Sequence, residues 1–358
     1  MHTLSAELLE KLAYATGKAM GCTDDEAGEM ARHLVGANLA GHDSHGVGML
    51  PSYVRMAQEG LLVPGSELRT VLDLPALMIV DAGRGVGQWM ARSAMGKAIA
   101  RARESGSCTM ALRNSSHIGR IGHYAEQCAH AGMVSIHFVN VADHAPLQAP
   151  YACSDARLGT NPFAVGLPGE KGASLVLDMA TSTIAFGKAR VARNKGVPVP
   201  EGSLLDADGR PTTDPTEYVD TMRGALRAFG EHKGSGLAIV CEMLGGALTG
   251  GKTIHPGHER CDGTVNSMLS IVIDAARMNE PGHFGGEVEA IKDYIRQSRI
   301  APGFDEILMP GEPEIRSRQK RGADGIPIDP KSLDDILAAA RLVGADAAVI
   351  GEVEAARS

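Results

Sequence analysis

The sequence predicts an α/β protein with a mixed sheet, only part of which is parallel. From residue 77 onward, short apolar runs of strand length alternate with longer segments of helical period, as in a sheet covered by helices. Before residue 77 and from residue 286 to the end, helical periodicity dominates instead. We therefore expect one α/β layer together with a helical or α+β part built from both chain ends.

The elements are expected in the following order. Residues 5–20 and 24–40 have helical patterns, and Thr23 with Glu26 three residues later forms a capping box that starts the second helix. The stretches NVADHAPLQAP and RLGTNPFAVGLP are interpreted as loop-rich, 197–216 as a loop, and 310–328 as a charged segment bounded by Pro and Gly. The expected strands are 77–81, 108–112, 133–139, a run from 174 to Asp178 and 268–274, and the further helices are 88–104, 123–131, a segment ending at 196, 286–299 and 331–343.

Composition excludes several classes of function. The chain has 358 residues, 44% hydrophobic and 22% charged, which is ordinary for a globular protein. Its net charge of −8 argues against a nucleic-acid partner, since phosphate binding needs clustered Lys and Arg. The short basic run 316–321 is interpreted as a solvated or intersubunit face. No run approaches 18 apolar residues, so we expect no membrane span.

The cysteines and the amino-terminal segment indicate a cytoplasmic protein. Six cysteines are scattered singly without a C-x-x-C pair, which fits reduced thiols better than disulfides or a zinc site. The segment MHTLSAELLEKL is charged and amphipathic, without the apolar core of a secretory signal.

The stretch ALRNSSHIGRIGHYAE, residues 111–126, carries the first candidate for chemistry. A buried strand ends at a polar turn, and His117 follows just before a helix begins near His123. Ligands commonly bind at the carboxyl end of a strand, so His117 is a candidate functional residue. The alternative from this stretch alone is a histidine that only caps the turn.

Three more segments combine polar side chains with helix starts. The glycine-rich loop in GHDSHGVGMLPSYVRM carries Ser44 and His45, more than a plain helix connector needs. Asp178 ends a strand before hydroxyl residues at a helix start, which suits an anion or a simple helix cap. Lys233 lies at a helix amino terminus, where it opposes the helix dipole unless a phosphate or carboxylate compensates it; a solvated lysine is the alternative.

Familiar motifs are missing from the sequence. Gly83, Gly85 and Gly87 are spaced by two and do not form G-x-G-x-x-G, and no P-loop, metal-ligand spacing or G-x-S-x-G is present. Acid–base chemistry by histidine on a bound small molecule is the best generic interpretation.

Six stretches together resemble one family. They are GHDSHGVGMLPSYV, RNSSHIGRIGHYAEQCAHAGMVSIHFVN, GTNPFAVGLP, LDMATSTIAFGKARVARNKGVPVP, DADGRPTTDP and EHKGSGLAIVCEMLGGALTG. From about residue 3 to 330 the chain looks like the malate/L-lactate dehydrogenase family of NAD(P)-dependent oxidoreductases, which also includes ureidoglycolate, sulfolactate, diketogulonate and cyclic-imine enzymes. The resemblance implies a non-Rossmann dinucleotide-binding domain over residues 77–255, and a substrate and dimerisation domain built from residues 1–76 and 256–358.

The resemblance also implies the roles of individual residues. His117 matches the proton donor and acceptor, assisted by His45 and Ser44 of the S-H-G loop, while hydride moves between C2 of a 2-hydroxy acid and the nicotinamide. A homodimer is implied, and NAD is expected, with NADP as the alternative. The residues implied to line the dinucleotide are His45, Arg120, Asn140, Gly159, Thr160, Asn161, Asp178, Met179, Ala180, His232, Lys233, Gly234 and Asn266.

One position departs from the family pattern. Several members read S-H-G-x-x-R, with the Arg taken to bind the substrate carboxylate, whereas this chain has Met49. A thioether does not replace a bidentate guanidinium contact, so Arg55 or Arg120 is left to supply the charge, or the substrate differs. Malate or L-lactate is the expected substrate type. The alternatives are a cyclic imine carboxylate, a ureidoglycolate-type substrate, or dinucleotide binding without catalysis.

Overall fold

The computed structural model describes residues 1–169, 172–278, 280 and 282–357. The strands are β1 (His2–Leu4), β2 (Arg69–Leu74), β3 (Leu77–Asp81), β4 (Ser107–Ser115), β5 (Met133–Ala142), β6 (Phe163–Gly169), β7 (Gly172–Met179), β8 (Leu204–Leu205), β9 (Pro211–Thr212), β10 (Ala225–Leu226), β11 (Val265–Asp274) and β12 (Ile326–Ile328). The helices are α1 (Ala6–Ala19), α2 (Asp24–Leu39), α3 (Leu50–Gln58), α4 (Gly87–Ser105), α5 (Gly122–His130), α6 (Phe186–Lys195), α7 (Thr216–Thr221), α8 (His232–Cys241), α9 (His283–Arg296), α10 (Glu312–Asp324), α11 (Pro330–Leu342) and α12 (Ala347–Ala355).

A seven-stranded mixed sheet forms the centre of the fold, in the order β2-β3-β4-β11-β5-β6-β7. β3 and β4 are parallel, and every other neighbouring pair in this sheet is antiparallel. The predicted α/β class with a mixed sheet is confirmed. β11 comes from late in the chain and lies between β4 and β5, which makes the centre of the sheet antiparallel.

The α4 and α5 helices pack on this sheet and bury most of its apolar side chains. α4 contributes small residues such as Ala91, Ala94 and Ala98, which let its backbone approach the sheet closely. They pack in one cluster with Met110 of β4 and Val139 of β5. Burying apolar area contributes about 25 cal/mol per Å², so this interface stabilises the strands that carry the site.

A second core joins the two ends of the chain. The capping box of Thr23 and Glu26 is present as predicted and starts α2. Leu9 of α1 and Leu34 of α2 are fully buried in one cluster with Leu337 of α11 and Val353 of α12. β1 also pairs antiparallel with β12. The division into residues 77–255 and residues 1–76 with 256–358 stays a prediction, with β11 of the second part forming the middle of the sheet.

Two segments differ from their predicted structure. The stretch FAVGLPG, interpreted as loop-rich, forms β6, because its side chains alternate between half-buried and buried as in a strand. Residues 310–328, interpreted as a charged segment, contain α10. In the basic run on α10, Arg318 pairs with Glu126 and Arg321 with Asp43 of the same chain, while the interpretation of this run as a solvated or intersubunit face stays a prediction.

No helix in the described part of the chain is both long and apolar enough to cross a membrane.

Candidate active site

A cleft of about 1190 Å³ lies where the second core meets the end of the sheet. Its walls come from the loop 44–49, α3, the turn after β4, the loop after β5, α6 and α11. The volume exceeds the range of roughly 300–1,000 Å³ that holds drug-sized ligands. The candidate residues on its walls are Ser44, His45, Met49, Arg55, His117, Thr160 and Asn266.

His117 stands in a turn that three other segments hold in place. The side chain of Asn266 on β11 accepts a hydrogen bond from the backbone N–H of Ile118 at 2.9 Å and donates one to the Asn140 carbonyl at 2.9 Å. A Cβ at Gly87 of α4 would lie 2.2 Å from the His117 carbonyl oxygen, so only glycine permits this approach. These contacts fix the backbone of the turn and therefore the position of the His117 ring.

The His117 ring has a polar chain behind it and a second imidazole beside it. Its Nδ1 lies 2.7 Å from Oη of Tyr53, and Nε2 of Gln88 donates to that same Oη at 2.7 Å. The ring of His45 stacks on His117, with centroids 5.6 Å apart and an angle of 17°. Ser44 Oγ lies 3.0 Å from Nδ1 of His45. The structure thus brings the three predicted catalytic residues together.

The loop that carries Ser44 and His45 is a pair of 3₁₀ turns, Asp43–His45 and Val47–Met49. Asn38 of α2 fixes it, since its Oδ1 accepts from the Val47 N–H at 2.8 Å and its Nδ2 donates to Asp43 at 2.7 Å. On the other side, a Cβ at Gly187 of α6 would lie 2.7 Å from Cβ of Ser44. This loop therefore packs closely against α6, and both segments line the cleft.

Burial keeps both cleft histidines neutral. Burial, with smaller contributions from the neighbouring His45 and His144, lowers the pKa of His117 to about 3. Burial also lowers the pKa of His45 to about 4, although Asp178 opposes this shift. Both imidazoles are therefore unprotonated bases at neutral pH and can accept a proton from a bound hydroxyl group.

Arg120 does not line the cleft, and its positive charge is already paired. Its guanidinium is 3% exposed and pairs with Glu126 at 2.9 Å and with Asp178 at 3.2 Å. A Cβ at Gly122 would lie 2.5 Å from Arg120 Nη2 and 2.6 Å from Asp178 Oδ2, so this pair occupies the space above that glycine. Asp178 in turn acts electrostatically on His45.

Two predicted cofactor residues are buried and serve the framework. Asn140 donates to the Lys252 carbonyl at 2.8 Å, and its Oδ1 accepts from the Ser267 N–H at 3.2 Å. Asn161 donates to Glu242 at 2.8 Å and accepts from the Val141 N–H at 3.2 Å. Their side chains hold β5 and β11 to the helical segment Glu242–Leu248, which continues α8, and to Lys252 beyond it.

Of the remaining predicted cofactor residues, one lines the cleft and the others lie away from its wall. Thr160 lines it, and its carbonyl accepts from the Thr181 N–H at 2.9 Å. His232, Lys233 and Gly234 are the first three residues of α8, and the first two are exposed. All three lie outside the cleft wall. The residues away from the wall are Gly159, Met179, Ala180, His232, Lys233 and Gly234.

The two candidate substrate contacts both line the cleft. Met49 ends the second 3₁₀ turn and packs against the core of the chain ends. Arg55 of α3 is partnered already, by Glu59 at 2.5 Å and by the Asp262 carbonyl at 2.8 Å.

The structure also places in or behind the cleft four residues that had no role predicted from the sequence: Tyr53, Gln88, His144 and Arg190. His144 lies two residues after the end of β5, and a polar residue after a strand is a signal that could have identified it. Tyr53 and Gln88 lie inside helical patterns, so nothing local distinguishes them from ordinary helix residues.

One cluster outside the cleft has the composition of a metal site. Ligand atoms of Glu29, His33 and His123 lie within 4.8 Å of one another. However, Nε2 of His33 accepts the Arg120 backbone N–H at 2.8 Å, so a neutral His33 carries its proton on Nδ1. That nitrogen then has no lone pair for a metal, and Glu29 is already paired with Arg92. These residues do not fit a metal ion.

The residues of the cleft fit a nicotinamide dinucleotide. The α6 helix begins at the cleft wall, and its N-cap residue Ala185 makes no side-chain hydrogen bond to the free N–H groups of the first turn. Uncapped helix N–H groups are natural ligands of a pyrophosphate. The cleft is also large enough for a ligand longer than a single small acid.

The chain is similar to several known proteins over most of its length. A family model described as malate/L-lactate dehydrogenase matches residues 4–337. Hydroxycarboxylate dehydrogenase B of Escherichia coli is 45% identical over 96% of this chain and 95% of its own. The solved sulfolactate dehydrogenase from Methanocaldococcus jannaschii has 33% identity and a TM-score of 0.85, covering 98% of this chain and 99% of its own. The delta1-piperideine-2-carboxylate reductase from Pseudomonas syringae has 29% identity and a TM-score of 0.80, covering 95% and 100%.

The family model spans most of the sequence, and the relatives match almost end to end, so the resemblance seen in the motifs is confirmed. The chain belongs to the malate/L-lactate dehydrogenase family of oxidoreductases.

Proposed function

We propose that this protein is an NAD(P)-dependent dehydrogenase that interconverts a small 2-hydroxy acid of the malate or L-lactate type and its 2-oxo acid. The observation that carries the proposal is the buried, neutral His117 in a cleft that also holds His45 and Ser44. An unprotonated imidazole within a ligand cleft is the base that removal of a hydroxyl proton requires.

His117 serves both directions of the reaction. In oxidation its free ring nitrogen takes the proton of the substrate hydroxyl. In reduction a protonated His117 returns it to the carbonyl oxygen. Burial disfavours that protonated form, but the negative charge of a substrate carboxylate entering the same cleft favours it and raises the pKa of His117 again. His45, stacked on His117, and Ser44 orient the substrate oxygen.

A bound nicotinamide dinucleotide supplies or takes up the hydride. In this proposal the first turn of α6 and Thr160 hold it in the cleft, together with Asn266 and the S-H-G loop. Lys233 and His232 at the exposed start of α8 contact the end of the dinucleotide that extends beyond the cleft wall, and the framework around Asn140, Asn161 and Asp178 shapes the wall behind it. We propose NAD as the cofactor, because no pair of basic residues in the described part of the chain identifies a 2′-phosphate site.

Arg190 is the residue we propose for the substrate carboxylate in place of an arginine at position 49. The cleft also contains Arg55, Arg193 and Lys331, but these pair with Glu59, Asp220 and Asp335. Arg190 lines the cleft on α6 and makes no ion pair with any described residue. An unpaired guanidinium is free to bind a carboxylate through two hydrogen bonds.

We further propose a homodimer in the cytoplasm. Exposed apolar side chains follow one another on α8 and its continuation, where Ile239, Val240, Met243 and Leu248 are each at least 41% exposed. A continuous apolar surface of this kind is typical of a subunit interface. Sedimentation equilibrium of the protein and of a Met243→Asp variant tests the assignment, and a monomeric wild type contradicts it.

A second candidate is reduction of a cyclic imine carboxylate. It is favoured by the similarity to the piperideine-2-carboxylate reductase and by the absence of an arginine at position 49. A protonated His117 suits imine reduction as well as carbonyl reduction, so the site chemistry alone does not separate the two substrates.

A panel assay tests the proposal. NADH and NADPH oxidation is followed with oxaloacetate, pyruvate, sulfopyruvate and piperideine-2-carboxylate, using wild type, His117→Ala and His130→Ala. His130 is an exposed histidine at the far end of α5 and serves as the control. We expect turnover of a 2-oxo acid, a drop of about 10²- to 10⁴-fold in His117→Ala, and no change in the control. Turnover of the imine alone supports the second candidate, and cofactor binding without any turnover refutes both.

A further inference from the structure

Behind the ring of His117, two polar side chains are enclosed by the core. Tyr53 and Gln88 are each 1% exposed. Tyr53 Oη lies 2.7 Å from Nδ1 of His117 and 2.7 Å from Nε2 of Gln88, which makes one continuous chain of hydrogen bonds. Burying a phenol and an amide in this way is costly unless their hydrogen bonds perform a task.

We propose that Tyr53 and Gln88 are a positioning pair that holds His117 in the tautomer with its proton on Nδ1, so that Nε2 meets the substrate. The inference rests on the proposed acid–base role of His117. It adds the residues that determine which nitrogen of the ring faces the substrate.

Both working states of His117 need a hydrogen on Nδ1. As a base, the ring must present a free lone pair on Nε2, so its single proton belongs on Nδ1. As an acid it carries protons on both nitrogens. In either state Nδ1–H requires an acceptor, and Tyr53 Oη is its hydrogen-bond partner in the described part of the chain.

The orientation of the Gln88 amide determines to which partner the Tyr53 hydroxyl donates its hydrogen. When the amide nitrogen of Gln88 donates to Oη, the hydroxyl hydrogen is left to donate to Nδ1, which gives the idle tautomer with the proton on Nε2. When the amide is turned and its Oε1 faces Tyr53, the chain runs from Nδ1–H to Oη and from Oη–H to Oε1. We place the Gln88 amide in this second orientation, with its two ends exchanged relative to the hydrogen bond given above. A glutamine offers both ends of its amide at nearly the same place, so it can supply this acceptor.

The backbone of α4 ties this pair to the catalytic turn. Gln88 follows Gly87, and a Cβ at Gly87 would lie 2.2 Å from the His117 carbonyl oxygen. The first turn of α4 therefore fixes the main chain of His117 and also carries Gln88, the residue that is hydrogen-bonded to the side-chain partner of His117, Tyr53.

Few charges face His117 directly. His45 of the S-H-G loop and His144 of the loop after β5 are the titratable groups that act on it, and both have lowered pKa values. His117 in turn acts on His33 of α2, whose pKa is also lowered. Asp178 and Arg120 act on His45 instead. No carboxylate is hydrogen-bonded to the ring among the described residues, so the neutral Tyr53 takes the orienting place that an aspartate has in many catalytic histidines.

The test uses Tyr53→Phe, which keeps the buried ring and removes only the hydroxyl. Tyr218→Phe is the matched control, because that buried hydroxyl also donates one hydrogen bond, to the Leu147 carbonyl at 2.9 Å, but away from His117. Steady-state kinetics are measured from pH 5 to 9 with the 2-oxo acid of the panel that is reduced fastest.

We expect kcat of Tyr53→Phe to fall by about 10- to 100-fold while KM changes little, because a hydrogen bond to a charged group is lost. The imidazolium also loses its acceptor, so the apparent pKa above which reduction declines moves down by about one to two pH units. Gln88→Met should have the same effects, and the double variant should be no slower than the slower single variant. Tyr218→Phe should keep the wild-type kcat and pH profile.

A direct measurement does not depend on turnover. In protein labelled with ¹⁵N-histidine, with His117 assigned by its loss in His117→Gln, we expect the proton on Nδ1 in the wild type and a shift toward Nε2 in Tyr53→Phe. A wild-type ring with its proton on Nε2, or a Tyr53→Phe pH profile equal to that of the control, overturns the inference. Full activity of His117→Ala refutes the proposed function instead, whereas an inactive His117→Ala with a normal Tyr53→Phe refutes only this inference.

Discussion

Replacing Arg120 by leucine removes the positive charge that two carboxylates share beneath the active site. The guanidinium is 3% exposed, and its partners Asp178 and Glu126 are 10% and 21% exposed. Taking away one member of a buried ion pair leaves an uncompensated charge and typically costs about 3–5 kcal/mol of unfolding free energy. Glu126 keeps Arg318, which contacts both of its oxygens at 2.9 Å, so most of the cost falls on Asp178. We therefore expect a loss near the lower end, about 3 kcal/mol.

The measurement is urea unfolding at pH 7 of wild type, Arg120→Leu and Arg120→Leu/Asp178→Asn. The double variant should recover part of the loss, because the unpaired carboxylate is then neutral. Arg341→Leu is the control, since its pair with Glu354 is about half exposed and contributes less than about 1 kcal/mol. A loss in Arg120→Leu no larger than that of the control, or no recovery in the double variant, refutes the reasoning.

The same variant has a defined pH dependence. Burial alone raises the pKa of Glu126, but Arg120 and Arg318 outweigh it and hold that pKa below its usual range. A carboxyl with a lowered folded-state pKa stabilises the protein above its unfolded pKa of about 4.3, and the contribution disappears as the pH falls through the folded value. The stability difference between wild type and Arg120→Leu should therefore shrink in acid.

Other predictions concern substrate binding, acid stability and the catalytic turn. Arg190→Ala should raise KM for the 2-oxo acid about tenfold or more with kcat largely kept, as steady-state kinetics will show; an unchanged KM assigns the carboxylate to another residue. Burial lowers the pKa of His137 to about 3, so between that value and its unfolded pKa of about 6.5 the unfolded state binds more protons, and stability is lost as the pH falls. In His137→Gln, urea unfolding between pH 6 and 4.5 should show a pH slope smaller by about 1.4 kcal/mol per unit, and an equal slope contradicts the buried neutral imidazole. Gly87→Ala should lower kcat and destabilise the protein by about 1–3 kcal/mol, because its Cβ meets a backbone oxygen; wild-type kinetics and an unchanged urea midpoint would contradict this.

Local sequence patterns were sufficient to predict those parts of the site that come from one continuous segment. The strand, polar turn and helix start around His117 are contiguous, so its position after β4 was predictable. The start of α2 was predictable for the same reason, because Thr23 and Glu26 satisfy each other's backbone groups within one turn.

Long-range partners were not predictable in this way. β11 pairs with β4 and β5 although it follows them by more than a hundred residues. No local sequence pattern indicates that it lies between these two strands. β6 contains Gly166, which looks like a loop residue, yet a Cβ there would lie 2.4 Å from the Ala125 carbonyl of α5. Glycine is required there by close packing of a helix on the sheet rather than by a turn.

The core shared by the two chain ends sets an order of events for a growing polypeptide. Leu9 of α1 and Leu34 of α2, the helix that supports the loop of Ser44 and His45, are covered only when α11 and α12 have been made. Until then this wall of the cleft exposes apolar surface, whereas the helices on the central sheet already have their partners. The wall with His45 and Tyr53 is thus completed last, and substitutions near Leu337 should impair the yield of active enzyme during synthesis without touching any group in the cleft.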